Sequence, residues 1–289
     1  MSTHNHVSRP AVRAFSARHR IDPPSWVPYP AAQPAGVVWL DATVLTWTDE
    51  RSCVTARGTE FVTLGDEGSF TRSLAGVMDL ESSPDRFVLF KTRQGVERYV
   101  EIIRALVPER IVELGIFRGG STVLLMELAQ PKRLVAIDSE PEPVAALDAY
   151  LIRTGCRDSC RTQYGLDQGN REGVGRILDA SFGTAPVDLV VDDASHLGPQ
   201  TRASFETLFP RLRPGGLYVI EDWSWHLQGL DLPGPTMEEF MSELLAAAGR
   251  GPGLIAGVEL SWDVILVRRG AAPVDPGSFA VAEWFEQML

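Results

Sequence analysis

Two acids and a histidine fall close together in VDDASH, residues 191–196, directly after the apolar run VDLVV. Carboxylates are acceptors and hard ligands, and an imidazole can take up a proton near neutral pH. A second acidic pair, Glu221 and Asp222, closes the apolar run LYVIED. If both runs are strands of one sheet, Asp193, Glu221 and Asp222 emerge at the same edge. Neighbouring strands lie about 4.8 Å apart, close enough for these carboxylates to share one cation. Oxygen-only ligands favour a hard ion such as Mg2+. A hydroxyl drawn to it would be oriented and made more acidic, and His196 could then remove the proton. The alternative is a polar turn at the end of a buried strand, with His196 an ordinary loop residue. Asp192 points to the opposite face from Asp193 and stays outside the metal set, where it caps or pairs with a helix.

The elements that must position these groups follow from periodicity. From about Phe87, strands and helices alternate: VERYVEIIRAL (helix), RIVELG (strand), STVLLMELA (helix), RLVAID (strand) and PVAALDAYLIR (helix). VDLVVDD (strand), TRASFETLFPRL (helix) and GGLYVIED (strand) come next, then a helix over TMEEFMSELLAA. This order predicts a parallel sheet with helices on both faces. GLIAGVEL and WDVILVRR are too closely spaced for a parallel crossover, so they form an antiparallel hairpin. Before the domain, VVWLDATVLTW and EFVTLG alternate as paired strands would, and residues 1–35 are Pro-rich and predicted to lack regular structure. The organisation read from the chain is a flexible arm over 1–35, a small β region over 36–86 and a main domain over 87–289.

The first strand of that domain runs into VELGIFRGGST, with a helix starting near Ser121. Glycines there allow a sharp turn and close approach of a ligand, and the helix N-terminus offers free N–H groups to a carboxylate. Phe117 occupies the second glycine position of the dinucleotide pattern G-x-G-x-x-G, which disfavours a pyrophosphate. Glu113, just before the turn, suits a cationic ligand instead. Asp138 ends the second strand, where it can bind ribose hydroxyls or cap the helix at PVAAL.

The strand, E-x-G turn, helix and strand ending in Asp, with a terminal hairpin, resemble the class I S-adenosylmethionine-dependent methyltransferases over roughly residues 87–269. The resemblance implies an α/β, Rossmann-like, doubly wound and mostly parallel seven-stranded sheet ending in an antiparallel hairpin. It implies that Glu113, Gly115 and Ser121 line the amino-acid end of S-adenosylmethionine, that Asp138 binds its ribose, and that Asp167 and Gln168 lie near its adenine. The stretch VDDASHLGPQTRASFETLFPRLRPGGLYVIEDW is similar to metal-dependent sugar O-methyltransferases of macrolide and polyketide glycoside biosynthesis. That likeness implies Asp193, Glu221 and Asp222 as Mg2+ ligands and His196 as the base. In EDWSWH, His226 is a rival base, but with Trp223 and Trp225 it is read as shaping the acceptor pocket. A catechol-type acceptor, or a cyclisation or isomerisation on the same fold, would be compatible with the same residues.

Charge narrows the partners. Twenty-seven Lys and Arg against 38 Asp and Glu give a formal charge of −11, which repels nucleic acid and anionic lipid. No apolar run reaches the roughly 20 residues needed to span a bilayer, and the first residues lack an apolar signal core. The expectation is a cytoplasmic protein acting on a small hydroxylated acceptor, with no nucleic-acid or membrane partner; the resemblance adds a homo-oligomer. The three cysteines suit a reducing compartment. Cys156 and Cys160 are spaced for one helical turn, but structural zinc needs four ligands, and no second pair lies nearby.

Overall fold

Strand β5 (Arg110–Leu114) sends alternate side chains to opposite faces, and the core divides accordingly. Ile111 packs in a cluster with Leu134, Leu189 and Val219, whereas Val112 packs with Val135, Val190 and Tyr218. A strand buried on both faces has helices on both sides. The computed structural model describes residues 45–47, 53–65, 77, 79–228 and 234–282.

On the first face lie α1 (Arg93–Leu106), α2 (Gly120–Ala129) and α3 (Ala145–Arg153), which precede β5, β6 (Arg133–Ile137) and β7 (Cys160–Gln163) respectively in the chain. On the second lie α4 (Arg171–Phe182), α5 (Gly198–Leu208) and α6 (Glu238–Gly249). β8 (Val187–Asp192) and β9 (Leu212–Glu221) extend the sheet, and β10 (Ile255–Leu260) with β11 (Val264–Arg269) forms the closing hairpin. The strand order is β10-β11-β9-β8-β5-β6-β7, and only the pairings of β11 are antiparallel. The expected seven-stranded, doubly wound sheet is therefore present.

The chain leaves β5 toward β6 and β7, then returns to place β8 on the other side of β5. That reversal opens a crevice beyond the carboxyl ends of β5 and β8, the usual ligand position in such sheets. Gly115 lies at this switch point with φ +93°, and a Cβ there would sit 2.0 Å from the carbonyl oxygen of Asp193. Only glycine lets the two strand ends approach so closely.

The small sheet before the domain differs from the expected pair of strands. β1 (Leu45–Trp47) and β3 (Thr59–Val62) do not pair directly, because β2 (Cys53–Ala56) lies between them. The hairpin β2–β3 turns on Arg57 and Gly58, both with positive φ, a two-residue turn without the Asn-Gly or Asp-Gly signature. β4 (Arg86–Val88) adds in parallel to β3, so the small sheet straddles residue 87. Residues 1–44, including the Pro-rich arm, lie outside the described residues. Helix α4 had no counterpart in the periodicity, and β7 is the strand before YGLDQGN that the seven-stranded count requires. β7 also carries Cys160, so Cys156 and Cys160 do not share a helix.

Candidate active site

Beyond β8 and β9 two of the three predicted acids, Asp193 and Asp222, converge with His196. Side-chain ligand atoms of Asp193, His196 and Asp222 all lie within 4.8 Å of one another. His196 and Asp222 both adopt left-handed backbone, φ +56° and +54°. Non-glycine residues rarely hold such angles, and here they turn both side chains toward the same crevice. Trp225, in a short helical turn over Trp225–Gln228, places its ring centroid 4.3 Å from that of His196.

Glu221 is directed elsewhere. Its two carboxylate oxygens lie 2.6 Å from the Lys91 ammonium, and Oε1 also accepts from the Tyr99 hydroxyl. Lys91 Nζ also donates to Asp193 Oδ2 at 3.0 Å. Lys91 is 6% exposed. Burial alone would strip its proton, but the charges of Asp193 and Glu221 outweigh that and raise its pKa above the ordinary lysine value. Burial would likewise raise the Asp193 carboxyl, but Lys91 and His196 hold it below the usual range. Glu221 is pushed up by burial and the Asp193 charge, and Asp222 more so by burial with Asp193 and Glu221 beside it. Burial lowers the pKa of His196, which favours the neutral imidazole a base requires.

Lys91 and Tyr99 did not emerge from the sequence. The available signal was a lone lysine closing the apolar run FVLF immediately before Thr92, the N-cap of α1, whose side chain accepts from the Gly95 amide at 3.2 Å. Tyr99 shares the stripe of Val96, Val100 and Ile103 and looks like a core residue.

At the glycine turn, Glu113 is fully buried and accepts from the Thr122 hydroxyl at 2.5 Å. Burial pushes its carboxyl up to about 7, opposed by Ser121 and Thr122, and Oε1 has no hydrogen-bond partner. Asp138 Oδ2 accepts from the amides of Ile116 and Phe117 at 2.7 and 2.8 Å, and Oδ1 from the Glu140 amide. It thus ties down the turn rather than the helix at PVAAL. A carboxylate has about four acceptor positions, so one remains for a further donor. Gly115, Phe117, Ser121, Lys91 and Asp193 line one small cavity.

The other predicted residues are distributed around this centre. Asp167 is exposed and takes the Gly169 amide at 2.6 Å. Gln168 is buried, donating to Asp192 and Ser204 and accepting from the Ser195 amide at 2.9 Å, so its amide braces the 193–196 loop from beneath. Asp192 also accepts from Ser204 and Tyr218, and burial pushes its carboxyl up to about 6, so it anchors α5 as its opposite-facing position implied. Trp223 donates to the Ser261 carbonyl at 2.9 Å, which clamps the loop after β9 onto the closing hairpin. His226 Nε2 pairs with Glu238 Oε1 of α6 at 2.5 Å.

This strand order, reversing at β5 and closing in an antiparallel hairpin, is the arrangement that the resemblance to class I methyltransferases implied. Residues 112–223 match a family described as a methyltransferase domain, somewhat under half of the chain. Demethylmacrocin O-methyltransferase of Streptomyces fradiae is 44% identical over 62 residues, 21% of this chain and 16% of its own. Mycinamicin VI 2''-O-methyltransferase of Micromonospora griseorubida is 48% identical over 64 residues, 22% and 15% of the two chains. An 8-demethyl-8-(2-methoxy-alpha-L-rhamnosyl)-tetracenomycin-C 3'-O-methyltransferase of Streptomyces olivaceus is 32% identical over 130 residues, 42% and 30%. These matches span less than a third of the relatives' own length. Among solved structures, the MycE methyltransferase from the mycinamycin biosynthetic pathway, in complex with Mg, SAH and mycinamycin VI, aligns at TM-score 0.48 with 27% identity, over 60% of this chain and 49% of that one. The chain therefore resembles the class I S-adenosylmethionine-dependent O-methyltransferases of mycinamicin methyltransferase type, as its motifs implied.

Proposed function

We propose that this protein transfers a methyl group from S-adenosylmethionine to a hydroxyl of a small natural product, a sugar hydroxyl of a macrolide or polyketide glycoside, with Mg2+ bound at the acidic centre. The observation that carries this is the convergence of Asp193, His196 and Asp222 within 4.8 Å at the switch point. The matched relatives, named as methylating demethylmacrocin, mycinamicin VI and rhamnosyl tetracenomycin, support the sugar acceptor.

The donor set fits a divalent ion. Asp193, Glu221 and Asp222 bring three carboxylates to a centre where Lys91 supplies one ammonium; burial first, and then the charges of Asp193 and Glu221, push the Asp222 carboxyl up. Asp193 and Asp222 would hold the ion, with Glu221 beside them. When bound, Mg2+ supplies Lewis acidity and a fixed orientation for substrate oxygens. His196 takes the hydroxyl proton as neutral imidazole, held by the Trp225 ring and the braced 193–196 loop. The Glu113 turn and Asp138 would hold the donor, whose sulfonium would supply an activated methyl group, so that the chain's own residues have mainly to align the acceptor and remove one proton. Trp223, Trp225 and His226 border the acceptor side, and Asp167 the adenine side.

The chain organisation proposed is an arm over 1–35, a small β region over 36–86 and the methyltransferase domain over 87–289, acting as a homo-oligomer in the cytoplasm. Among the described residues no helix is long and apolar enough to cross a membrane. The test incubates the protein with S-adenosylmethionine, Mg2+ and a panel of glycosides and catechols and weighs the products. A gain of one CH2 on a glycoside supports the proposal, and an unchanged mass with turnover indicates isomerisation or cyclisation instead. His196→Ala is expected to lower turnover by about 10²-fold or more while S-adenosylhomocysteine binding stays intact; wild-type turnover in that variant removes His196 as the base.

A further inference from the structure

Lys91 is supplied to the acidic centre by the small N-terminal sheet. The strand path continues past β4, where the Leu89 amide donates to the Val62 carbonyl at 2.8 Å. The Leu64 amide donates to the Lys91 carbonyl at 3.0 Å, and the Arg93 amide donates to the Gly65 carbonyl at 2.8 Å. The lysine backbone is thus fixed on both sides by residues 62–65. Its side chain crosses to carboxylates 102 and 130 positions later in the chain. Among the described residues it is the one cation hydrogen-bonded to Asp193 or Glu221, and Tyr99 completes the shell of Glu221 from α1.

A cation bound among Asp193, Glu221 and Asp222 would hold all three carboxylates ionised, and the Lys91 ammonium beside Asp193 and Glu221 then leaves two negative charges for it to balance. A buried charge without a partner is costly, and a buried cluster with a residual charge is satisfied by an ion that cancels it. Two charges suit one divalent ion; without the lysine the same carboxylates would present three.

We propose that Lys91 is a positioning residue that sets the charge of this centre, so that it prefers a single divalent ion, and that delivering this lysine is a function of the small N-terminal sheet. The inference rests on the metal-dependent reading above. It goes beyond that reading in giving a charge-selecting role to a residue outside the matched domain.

The test compares ions of similar radius and different charge. Tb3+ bound at the centre is read by luminescence sensitised through Trp225 and displaced with Ca2+, while Mg2+ binding is followed by calorimetry. Lys91→Met is expected to increase the preference for Tb3+ over Ca2+ by about tenfold or more, because an added unit of negative charge favours the trivalent ion. Its melting temperature in chelator should fall and recover when the ion is added. Lys91→Arg keeps the charge and Tyr99→Phe removes only a neutral donor, so both should stay within about threefold of the wild-type preference. An unchanged preference in Lys91→Met overturns the inference, as does a shift of tenfold in Tyr99→Phe. If Lys91→Met does not fold, a tenfold shift in Lys91→Arg overturns it, and retention of the wild-type preference there supports it. If the wild type binds neither Mg2+ nor Tb3+, the metal-dependent reading fails first and the role of Lys91 with it; binding by the wild type with no response to Lys91 fails the inference alone.

Discussion

Replacing Gly115 with alanine tests whether close approach of β5 and β8 builds the acidic centre. The substitution carries two costs. At φ +93° an L-residue is strained by about 1–2 kcal/mol. The new Cβ would also lie 2.0 Å from the Asp193 carbonyl oxygen and 2.8 Å from its carbonyl carbon, both backbone atoms that cannot rotate away. Relieving that overlap means separating two strand ends in the middle of a parallel sheet, at an overpacking cost of about 1–3 kcal/mol. The sum is about 2–5 kcal/mol. Gly155 serves as control, since it too has positive φ, +69°, but no atom lies within 4 Å of its added Cβ. Urea denaturation of both alanine variants separates dihedral strain from displacement. Gly115→Ala should lose at least about 1 kcal/mol more than Gly155→Ala and bind Mg2+ at least about tenfold more weakly, because the displaced strand end carries Asp193. Equal losses in the two variants, with metal affinity unchanged, would refute the idea that this contact positions the centre.

Two further outcomes follow from buried groups. Glu113 has a folded pKa pushed up to about 7 by burial, so its ionised form is disfavoured in the fold. A raised carboxyl contributes fully below its unfolded value and its contribution is lost as pH rises through the folded value; for a shift of this size the loss is at most about 3 kcal/mol. Glu113→Gln should therefore flatten the stability profile between pH 5 and pH 8 and gain stability at the upper end, as measured by denaturation at both pH values; parallel profiles would argue against burial of the charge. Thr92→Ala removes the N-cap of α1, the helix that carries Tyr99, and should cost about 1 kcal/mol in the same assay, with loss near zero if the cap contributes nothing.

The sheet was legible because its strands are nearly continuous apolar runs and its acids sit where those runs end. Asp193, Asp222 and His196 could be placed at one edge from spacing alone, since a strand end fixes position along the sheet to within a residue or two. β7 and α4 were harder to see. CRTQ is short and mostly polar, and REGVGRILDASF carries a narrow stripe of Val174, Ile177, Leu178 and Phe182 interrupted by Gly173, Gly175 and Ser181. The hairpin β2–β3 was missed for a different reason, since Arg57 takes the left-handed position that Asn or Gly normally signals.

What sequence patterns cannot supply is the partner of a group that lies far away along the chain. Gln168 follows β7 as an adenine-contacting residue would, yet its amide is consumed by Asp192, Ser204 and the Ser195 backbone. Three carboxylates at one edge imply a cation, and a metal is the economical inference when no basic residue is adjacent in sequence. The fold adds a lysine from the segment between β4 of the small sheet and α1, so the same repulsion is met partly by the chain itself. On the proposed metal-dependent reading this lowers the charge asked of the ion by one, and Glu221 is turned toward Lys91 and Tyr99. The residue types were sufficient to bring the acids to one edge, but the lysine that meets them depends on a tertiary contact that periodicity does not encode.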